Sequence, residues 1–219
     1  MNKRILAISD IHGMLEKFNG LLEMVKYNPK EDQLILLGDY VDRGPEPIKT
    51  LLKVAELVEN GAIALRGNHE DMFLNVACEM ERGNSNPQEL ALHIHNGGAI
   101  TQQQYVNLSE DDQAGIRILL CKFKLIHEED NFIFVHAGIN PCFPIDKQDP
   151  SDLVWIRDEF IYGPVIEGKT VIFGHTPTKY MSGHFNIWHG DGKICIDCGA
   201  AYGGKLACLK IPTMREYYC

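Results

Sequence analysis

Five short apolar runs recur along this chain of 219 residues, and each one stops abruptly at a polar residue. They are ILAIS before Asp10, LILLG before Asp39, AIALRG before Asn68, FIFV before His136 and TVIFG before His175. Apolar runs of this length without alternation are typical of strands that are buried on both faces. Two later segments, ICID and KLACLKI, have the same character. The chain is therefore expected to build sheet structure that is covered on both sides.

Helical patterns fill the gaps between the early strands. Apolar residues recur at helical spacing over 14–25 and over 48–55, where Pro47 suits a first helical turn. The sequence also predicts helices over 71–82 and 111–123. Strands that alternate with helices predict an α/β fold with right-handed crossovers, and the spacing alone favours one doubly wound sheet.

Chain length and cysteine spacing bound the organisation. The length suits a single domain over residues 1–219, with the more polar segment 83–128 as a helical insertion or cap over the sheet edge. The seven cysteines have no compact framework spacing, so free thiols are expected. Cys195 and Cys198 fall in an expected buried strand, where residues three apart point to opposite faces. We therefore assign them no redox or zinc role.

Charge and hydropathy exclude several classes of function. The net charge is −9 and the sequence has no cluster of Lys and Arg, which argues against binding to a nucleic-acid backbone. No apolar run approaches the roughly 18 residues that span a bilayer. The first apolar run meets Asp10 too early for a signal peptide, and no small-residue cleavage site follows. We therefore expect a cytoplasmic protein with no membrane partner.

The residues at the strand ends carry the strongest functional signal. In open α/β folds, ligands bind at the carboxyl ends of the strands. Five predicted strands end in residues of metal-ligand type, namely Asp10 with His12, Asp39, Asn68 with His69, His136 and His175. Carboxylate, imidazole and amide ligands without a thiolate suit Mn, Fe or Zn. The set exceeds what one tetrahedral ion needs, whereas two ions that share a carboxylate would use it, as in phosphatases and nucleases.

Three arginines add a capacity to bind phosphate. Arg43 in GDYVDRG and Arg66 in LRGNHE stand among the candidate ligands, whereas Arg157 in DLVWIRDEF is separate from them in the sequence. A planar guanidinium offers a phosphate group two hydrogen bonds at once, which a lysine cannot do. We predict that these arginines bind the phosphate of a substrate.

Together these segments resemble the phosphoprotein phosphatase family of metallophosphoesterases, especially its short bacterial and bacteriophage lambda-type members. The motifs stand in the family's order as SDIHG at 9–13, GDYVDRG at 38–44, RGNHE at 66–70, HAG at 136–138 and GHTP at 174–177. The tail IDCGAAYGGKLACL is similar to the family's closing strands. The resemblance implies a calcineurin-like fold, a β-sandwich of two mixed sheets flanked by helices, and we adopt it over the single sheet.

The resemblance also implies a role for each motif residue. The ligands of two divalent ions, with Asp39 shared, would be Asp10, His12 and Asp39 for the first ion and Asp39, Asn68, His136 and His175 for the second. His69 is similar to the family's general acid, and Asp42 would orient it. Arg43 and Arg157 match phosphate-clamping positions, and Arg66 matches a third. Mn²⁺ is the expected ion, with Fe, Zn or Ni as alternatives.

The implied reaction is hydrolysis of a phosphate monoester, with phosphoserine or phosphothreonine in proteins as the leading substrate. The motifs do not separate this reaction from splitting of a dinucleoside polyphosphate such as diadenosine tetraphosphate. Segments 83–128 and 139–152 would rim the site and decide between them. A phosphopeptide-binding pseudoenzyme is disfavoured, because every ligand position is filled. The partner is therefore a phosphorylated protein or a small phosphate ester, and the oligomeric state stays open.

Several histidines and both tryptophans lie outside the motifs. Trp155 and Trp188 are assigned to packing. The histidines assigned to packing or to the surface are His93, His95, His127, His184 and His189. For His93 and His95, which precede NGG at 96–98, shaping of the substrate entrance is the alternative interpretation.

Overall fold

The computed structural model describes residues 4–219, and within that range ten strands form two sheets. In chain order the strands are β1 (Arg4–Ile8), β2 (Asp32–Leu36), β3 (Ile63–Ala64), β4 (Ile126–Glu129), β5 (Phe132–Val135), β6 (Thr170–Phe173), β7 (Trp188–Gly190), β8 (Lys193–Cys195), β9 (Ala207–Ile211) and β10 (Arg215–Tyr218). The first sheet has the order β10-β9-β1-β2-β3, and the second has the order β4-β5-β6-β8-β7. In each sheet three strands pair in parallel and the others add antiparallel pairs. Both sheets are therefore mixed.

This topology confirms the two-sheet fold implied by the resemblance and corrects the single doubly wound sheet favoured by spacing alone. The parallel strands β1, β2 and β3 belong to the first sheet, and the parallel strands β5, β6 and β8 belong to the second. The chain changes sheets between β3 and β4 and returns to the first sheet at β9. Spacing of apolar runs does not record this change, because a buried strand has the same composition in either sheet.

Nine α-helices lie in the described part of the chain. They are α1 (Leu15–Met24), α2 (Pro47–Glu59), α3 (Asn68–Glu81), α4 (Pro87–His95), α5 (Ala99–Tyr105), α6 (Glu110–Lys122), α7 (Pro150–Trp155), α8 (Asp158–Ile161) and α9 (Lys179–Ser182). Two short 3₁₀ turns cover Ile145–Lys147 and Ala200–Tyr202. Among residues 4–219, no helix is long and apolar enough to cross a bilayer.

The apolar runs are continuous because the strands pack on both faces. Along β1, Leu6 and Ile8 join a core with the helices, whereas Ile5 and Ala7 join a second core between the sheets. A third core lies on the outer face of the second sheet, where Phe173 packs with residues of α7 and α8. The molecule is therefore a sandwich of two sheets with helices outside each one. Burial of so much apolar surface is the main stabilising contribution to such a fold.

The segment 83–128 contains α4, α5 and α6 and the first residues of β4. Ile116 and Leu120 of α6 lie in the same core as Leu51 of α2, so these helices cover the first sheet together with α1–α3. Ser109 caps α6 by accepting a hydrogen bond from the Asp112 amide at 3.2 Å. The helix prediction over 71–82 was late at its start, since α3 begins at Asn68.

Three strands were not predicted from the sequence, namely β4, β7 and β10. Each lies at the edge of its sheet and so has one strand neighbour. Each also contains polar residues, which are common in edge strands. Cys195 and Cys198 are both buried and join different cores, although β8 ends at Cys195 and the expected strand does not extend to Cys198.

An ion pair between the partly exposed Arg4 and the buried Asp32 ties the start of β1 to the start of β2. Asp32 accepts hydrogen bonds from the Arg4 Nη2 atom at 2.9 Å and from the Asn28 amide at 2.8 Å. Arg4 also donates to the Val25 and Lys26 carbonyl oxygens at the end of α1, at 3.1 and 2.9 Å. Burial alone would raise the pKa of Asp32, but the bonds from Arg4 and Asn28 lower it below its usual value.

Asp32→Asn should lower the free energy of unfolding at pH 7 by about 1.5–3 kcal/mol, the usual value of a charged hydrogen bond. Because the pKa of Asp32 is lower in the folded state, its contribution is present above the unfolded pKa and disappears as pH falls through the folded one. Urea unfolding should therefore show a difference from wild type that shrinks toward about pH 3. The exposed neighbour Glu31, changed to Gln, is the control and should shift stability by less than about 0.5 kcal/mol. Equal stability of Asp32→Asn and wild type at pH 7 would contradict this assignment.

Candidate metal centre

The Asp39 carboxylate lies between imidazoles that come from both sheets. Its Oδ2 atom is 3.5 Å from His12 Nε2, and its Oδ1 atom is 3.4 Å from His136 Nε2. The His69 amide donates a hydrogen bond to Oδ1 at 3.1 Å. Asp39 follows β2 and His136 follows β5, so the carboxyl ends of parallel strands in the two sheets meet here. Asp39 therefore occupies the position that a shared ligand requires.

Two groups of donor atoms form around Asp39, each with its atoms within 4.8 Å of one another. The groups are His12, Asp39 and His69, and Asp39, His136 and His175. The Asn68 Oδ1 atom lies 3.0 Å from His136 Nε2 and so joins the second group. Asp10 is outside both groups, but its carboxylate accepts the His175 amide at 3.1 Å. The structure thus gathers five of the six candidate ligands around Asp39, holds Asp10 next to the His175 backbone, and adds His69 to the first group.

The donor set fits a divalent cation. His12 Nδ1 and His136 Nδ1 donate to the Val41 and Leu37 carbonyl oxygens at 2.9 and 2.8 Å, which leaves a lone pair on each Nε2 atom, within 3.5 Å of the Asp39 carboxylate. His175 Nε2 is buried and has no hydrogen-bond partner within residues 4–219. A buried polar atom without a partner is costly, and a cation at this place would satisfy it.

Burial keeps these imidazoles neutral, which is the form that binds metal. It lowers the pKa of His12 and His175 well below the usual value and lowers the pKa of His136 to about 4. Burial and the nearby Asp10 and Glu70 carboxylates raise the pKa of Asp39 well above its usual range. A bound cation would instead lower the pKa of Asp39, because the ion is the largest local charge in such a site and stabilises the carboxylate.

Backbone strain is concentrated at the same residues. Nine non-glycine residues in the described range have a positive φ, and six of them are candidate site residues. These six, with φ between 47° and 71°, are Asp10, His12, Asp39, Asp42, Arg43 and His175. This left-handed conformation costs energy for residues with a Cβ and occurs mainly where the surrounding structure enforces it. The strain therefore agrees with a functional role for these turns.

One buried carboxylate enforces the turn that carries Asp39. Glu70, at the start of α3, accepts hydrogen bonds from the Asp39 and Tyr40 amides, each at 2.7 Å, and from the Gly67 amide at 2.9 Å. These bonds join the loop after β2 to the first turn of α3. Glu70 stands in the motif RGNHE but is not among the site residues predicted from the sequence.

His69 and Asp42 form a short buried pair. His69 Nδ1 lies 2.6 Å from Asp42 Oδ2, and His69 Nε2 lies 3.9 Å from Asp39 Oδ2. Burial would raise the pKa of Asp42, but hydrogen bonds from His69 and His93 lower it below its usual value, so Asp42 is ionised. An ionised acceptor on Nδ1 leaves Nε2 as the atom that faces the donor groups. This arrangement suits an imidazole that gives a proton to a reacting group.

Two of the predicted arginines flank the donor groups. The Arg43 guanidinium contacts His12 Nε2, on the side of the first group. Arg157 Nη1 donates to Thr176 Oγ1 at 2.9 Å and to the His175 carbonyl oxygen at 3.3 Å, on the side of the second group. Each arginine is therefore anchored next to the donors with further N–H groups for an anion.

Arg66 has a different environment. Its Nε atom lies 2.8 Å from Asp71 Oδ1, as an ion pair whose geometry is not that of a hydrogen bond. Its backbone amide donates to the Lys124 carbonyl oxygen at 2.8 Å. In this structure the Arg66 side chain is engaged by α3 rather than by the donor groups.

An aromatic cavity of about 360 Å³ adjoins Arg43. It is lined by Pro177, Lys179, Tyr180, Phe185 and Tyr202. The Arg43 guanidinium lies 5.0 Å from the centre of the Tyr202 ring, within the range of a cation–π contact. No sequence pattern indicates this cavity, because its residues follow two different motifs and meet only in the fold.

Comparisons with known proteins agree with the fold and show the family. Residues 3–206 match the family model for calcineurin-like phosphoesterases. The serine/threonine-protein phosphatase 1 of Salmonella typhimurium is 27% identical over 95% of this chain and 92% of its own length. The symmetrical bis(5'-nucleosyl)-tetraphosphatase of Methylococcus capsulatus is 26% identical over 98% of this chain and 94% of its own length. A crystal structure of a candidate diadenosine tetraphosphatase superposes with a TM-score of 0.75 at 20% identity, over 99% of this chain and 93% of that one.

His175→Ala should weaken the binding of one divalent ion. The change removes a donor from the group formed with Asp39 and His136, and leaves the first group intact. Elemental analysis after dialysis against Mn²⁺ should find less metal in the variant than in wild type. The rise in melting temperature on adding Mn²⁺ should also be smaller, because binding to the folded state stabilises it.

The surface histidine His189 provides the control for that experiment. It lies on the edge strand β7 and pairs with Glu216 at 2.7 Å. His189→Ala should retain the metal content of wild type. If His175→Ala also retained it, His175 would not be a ligand.

Proposed function

Because the chain belongs to the calcineurin-like phosphoesterase family and is a metallophosphoesterase, we propose that it removes phosphate from phosphoserine or phosphothreonine in proteins. The observation that carries this proposal is the Asp39 carboxylate between two groups of donors, with the His69–Asp42 pair beside it. Paired ions and a neighbouring acid are the parts that hydrolysis of a phosphate monoester needs.

The two curated relatives differ in the length of their alignment with this chain. The alignment with the Salmonella typhimurium phosphatase spans 221 residues, which is close to the 219 residues of this chain. The alignment with the Methylococcus capsulatus tetraphosphatase spans 282 residues at nearly the same identity. The tetraphosphatase therefore carries additional segments that this chain does not have. This difference separates the chain from that tetraphosphatase, whereas the candidate diadenosine tetraphosphatase structure has nearly the length of this chain.

We propose Mn²⁺ as the ion, with Fe, Zn or Ni as alternatives. The proposed ligands are Asp10, His12 and Asp39 for one ion and Asp39, Asn68, His136 and His175 for the other. Two bound cations would act as Lewis acids toward the phosphoryl group and would neutralise charge on its oxygens. Oxygen and nitrogen donors without a thiolate agree with this choice of ion.

The protein's own side chains would supply the remaining chemistry. His69, as an imidazolium whose Nδ1–H is held by Asp42, would donate its Nε2 proton to the leaving oxygen and so become neutral. Arg43 and Arg157 would hold the phosphoryl oxygens with paired N–H groups, as guanidinium forks do. In our proposal Arg66 assists them after exchanging Asp71 for the substrate.

Hydrolysis of a dinucleoside polyphosphate is the second candidate, and the aromatic cavity is the observation that favours it. Tyr202 and Tyr180 line this cavity and are 53% and 80% exposed, so each ring has an open face that could stack on a nucleobase. The Arg43 guanidinium lies over one face of the Tyr202 ring. Lys179 in the same cavity could bind a further phosphate. The cavity thus offers a nucleotide both a stacking surface and a charge.

A side-by-side assay of a phosphoserine peptide and diadenosine tetraphosphate tests the two candidates. We expect a higher kcat/KM on the peptide. Tyr202→Ala should then leave the ratio of the two values nearly unchanged. A higher kcat/KM on the dinucleotide, lost selectively in Tyr202→Ala, would instead assign the second function.

His69→Asn should lower kcat on a phosphoserine peptide by about 10²–10⁴-fold, the usual contribution of general acid catalysis. The loss should be smaller on p-nitrophenyl phosphate, because nitrophenolate leaves without protonation. Since His69 also lies in the first donor group, metal content must be measured on the same sample. Equal losses on both esters would refute the acid assignment, and loss of metal would make His69 a ligand.

Arg43→Lys and Arg157→Lys should each lower kcat/KM by about 10–150-fold, because a lysine keeps the charge but loses the second hydrogen bond. Inorganic phosphate should inhibit both variants more weakly. Arg66→Lys should cost less, because Asp71 already engages that side chain. The exposed Arg82, paired with Glu79 at 2.8 Å, gives the control Arg82→Lys with wild-type kinetics. Unchanged kinetics in Arg157→Lys would remove that arginine from the phosphate site.

A further inference from the structure

Asp42 has a second imidazole partner in addition to His69. His93 Nε2 lies 2.9 Å from Asp42 Oδ1 and 3.1 Å from Oδ2, whereas His69 Nδ1 lies 2.6 Å from Oδ2. The Thr101 hydroxyl donates to Oδ1 at 2.5 Å and accepts the Asp42 amide at 3.0 Å. All four residues are buried. Both carboxylate oxygens are therefore occupied, and rotation of the carboxylate would break at least two of these bonds.

The orientation of the His93 ring is fixed by its own neighbours. The Gln102 amide nitrogen lies 3.0 Å from His93 Nδ1, so it donates there and leaves the ring proton on Nε2. The Phe73 ring stacks on His93 with 5.8 Å between ring centres. His93 is thus held as a hydrogen-bond donor that points at Asp42.

The glycines of NGG at 96–98 explain why this segment can approach the site so closely. A Cβ atom on Gly98 would lie 2.2 Å from His93 Cδ2, and one on Gly97 would lie 2.8 Å from Arg43 Cγ. The Gly97 carbonyl oxygen also accepts the Arg43 amide at 3.1 Å. The turn between α4 and α5 therefore packs directly under Arg43 and His93.

We propose that His93 is a positioning residue for the His69–Asp42 pair. It does not touch the substrate, since its side chain is fully buried, and it acts by holding Asp42 in the rotamer that orients His69. This inference rests on the proposed function, because it concerns the proton transfer assigned to His69. It replaces the packing role that the sequence suggested for His93. The segment 93–101 would then serve to place two hydrogen-bond donors, His93 and Thr101, on Asp42.

Two substitutions at His93 separate positioning from packing. His93→Phe keeps a ring against Phe73 but removes the donor, and His93→Gln keeps an amide N–H. Thr101→Val removes the hydroxyl that donates to Asp42 while keeping the shape of the side chain. If His93→Phe does not fold, the kinetics of Thr101→Val decide the question. His127→Phe is the matched control, because His127 also bonds a carboxylate, that of Glu129 at 3.3 Å, on the edge strand β4.

The variants are assayed in Mn²⁺ on phenyl phosphate, a poor leaving group, and on p-nitrophenyl phosphate, a good one. His93→Phe and Thr101→Val should lower kcat on phenyl phosphate by about 10–100-fold, as loss of an outer-sphere partner usually does. The loss on p-nitrophenyl phosphate should be smaller, with KM unchanged. His93→Gln should recover most of the activity, and His127→Phe should resemble wild type. Metal content should be equal in all of them.

Three outcomes would overturn the inference. Wild-type kcat in His93→Phe, or equal losses on both esters without recovery in His93→Gln, would make His93 a packing residue. Wild-type kcat in Thr101→Val together with an unfolded His93→Phe would lead to the same conclusion. A wild-type protein without activity on either ester would overturn the proposed function itself, so the two failures are distinguishable.

Discussion

The Glu70 carboxylate is the interaction on which the site depends. It is fully buried and accepts backbone N–H groups from both the loop after β2 and the start of α3. Burial raises the pKa of Glu70 to about 7, and its backbone partners act against that rise. Without this acceptor, buried amides of two segments would be unpaired at once. Glu70 therefore keeps the loop that carries Asp39 and Asp42 in register with the helix that carries His69.

The second requirement is the apolar core between the sheets. Ile35 and Leu37 of the first sheet pack in one cluster with Phe134 and Ile172 of the second. This packing brings the carboxyl end of β2 to the carboxyl end of β5, where Asp39 and His136 meet. Neither sheet contains a complete donor group for the second ion, because its members follow β2, β5 and β6. The candidate metal centre is thus a property of the sandwich rather than of one sheet.

The site concentrates features that oppose folding. Asp10, Asp39 and Asp197 are buried near one another, and burial together with Asp10 raises the pKa of Asp197. Six residues around the donors have strained backbones. His175 Nε2 has no partner among the described residues. A divalent cation would offset the repulsion between the buried carboxylates and would give His175 Nε2 a partner, so metal binding and stability of the fold are expected to be linked in this protein.

The sequence by itself determined the buried strands and the candidate ligands, because an apolar run and the polar residue that ends it are local features. It also determined the family, through motifs in a fixed order. Only the tertiary structure decided which strand joins which sheet, the edge strands β4, β7 and β10, and the pairing of Arg66 with Asp71. The same holds for the His93–Asp42 bond, whose partners are 51 residues apart. Such contacts depend on how side chains of distant segments are directed toward one another, and no local pattern of residue types encodes that direction.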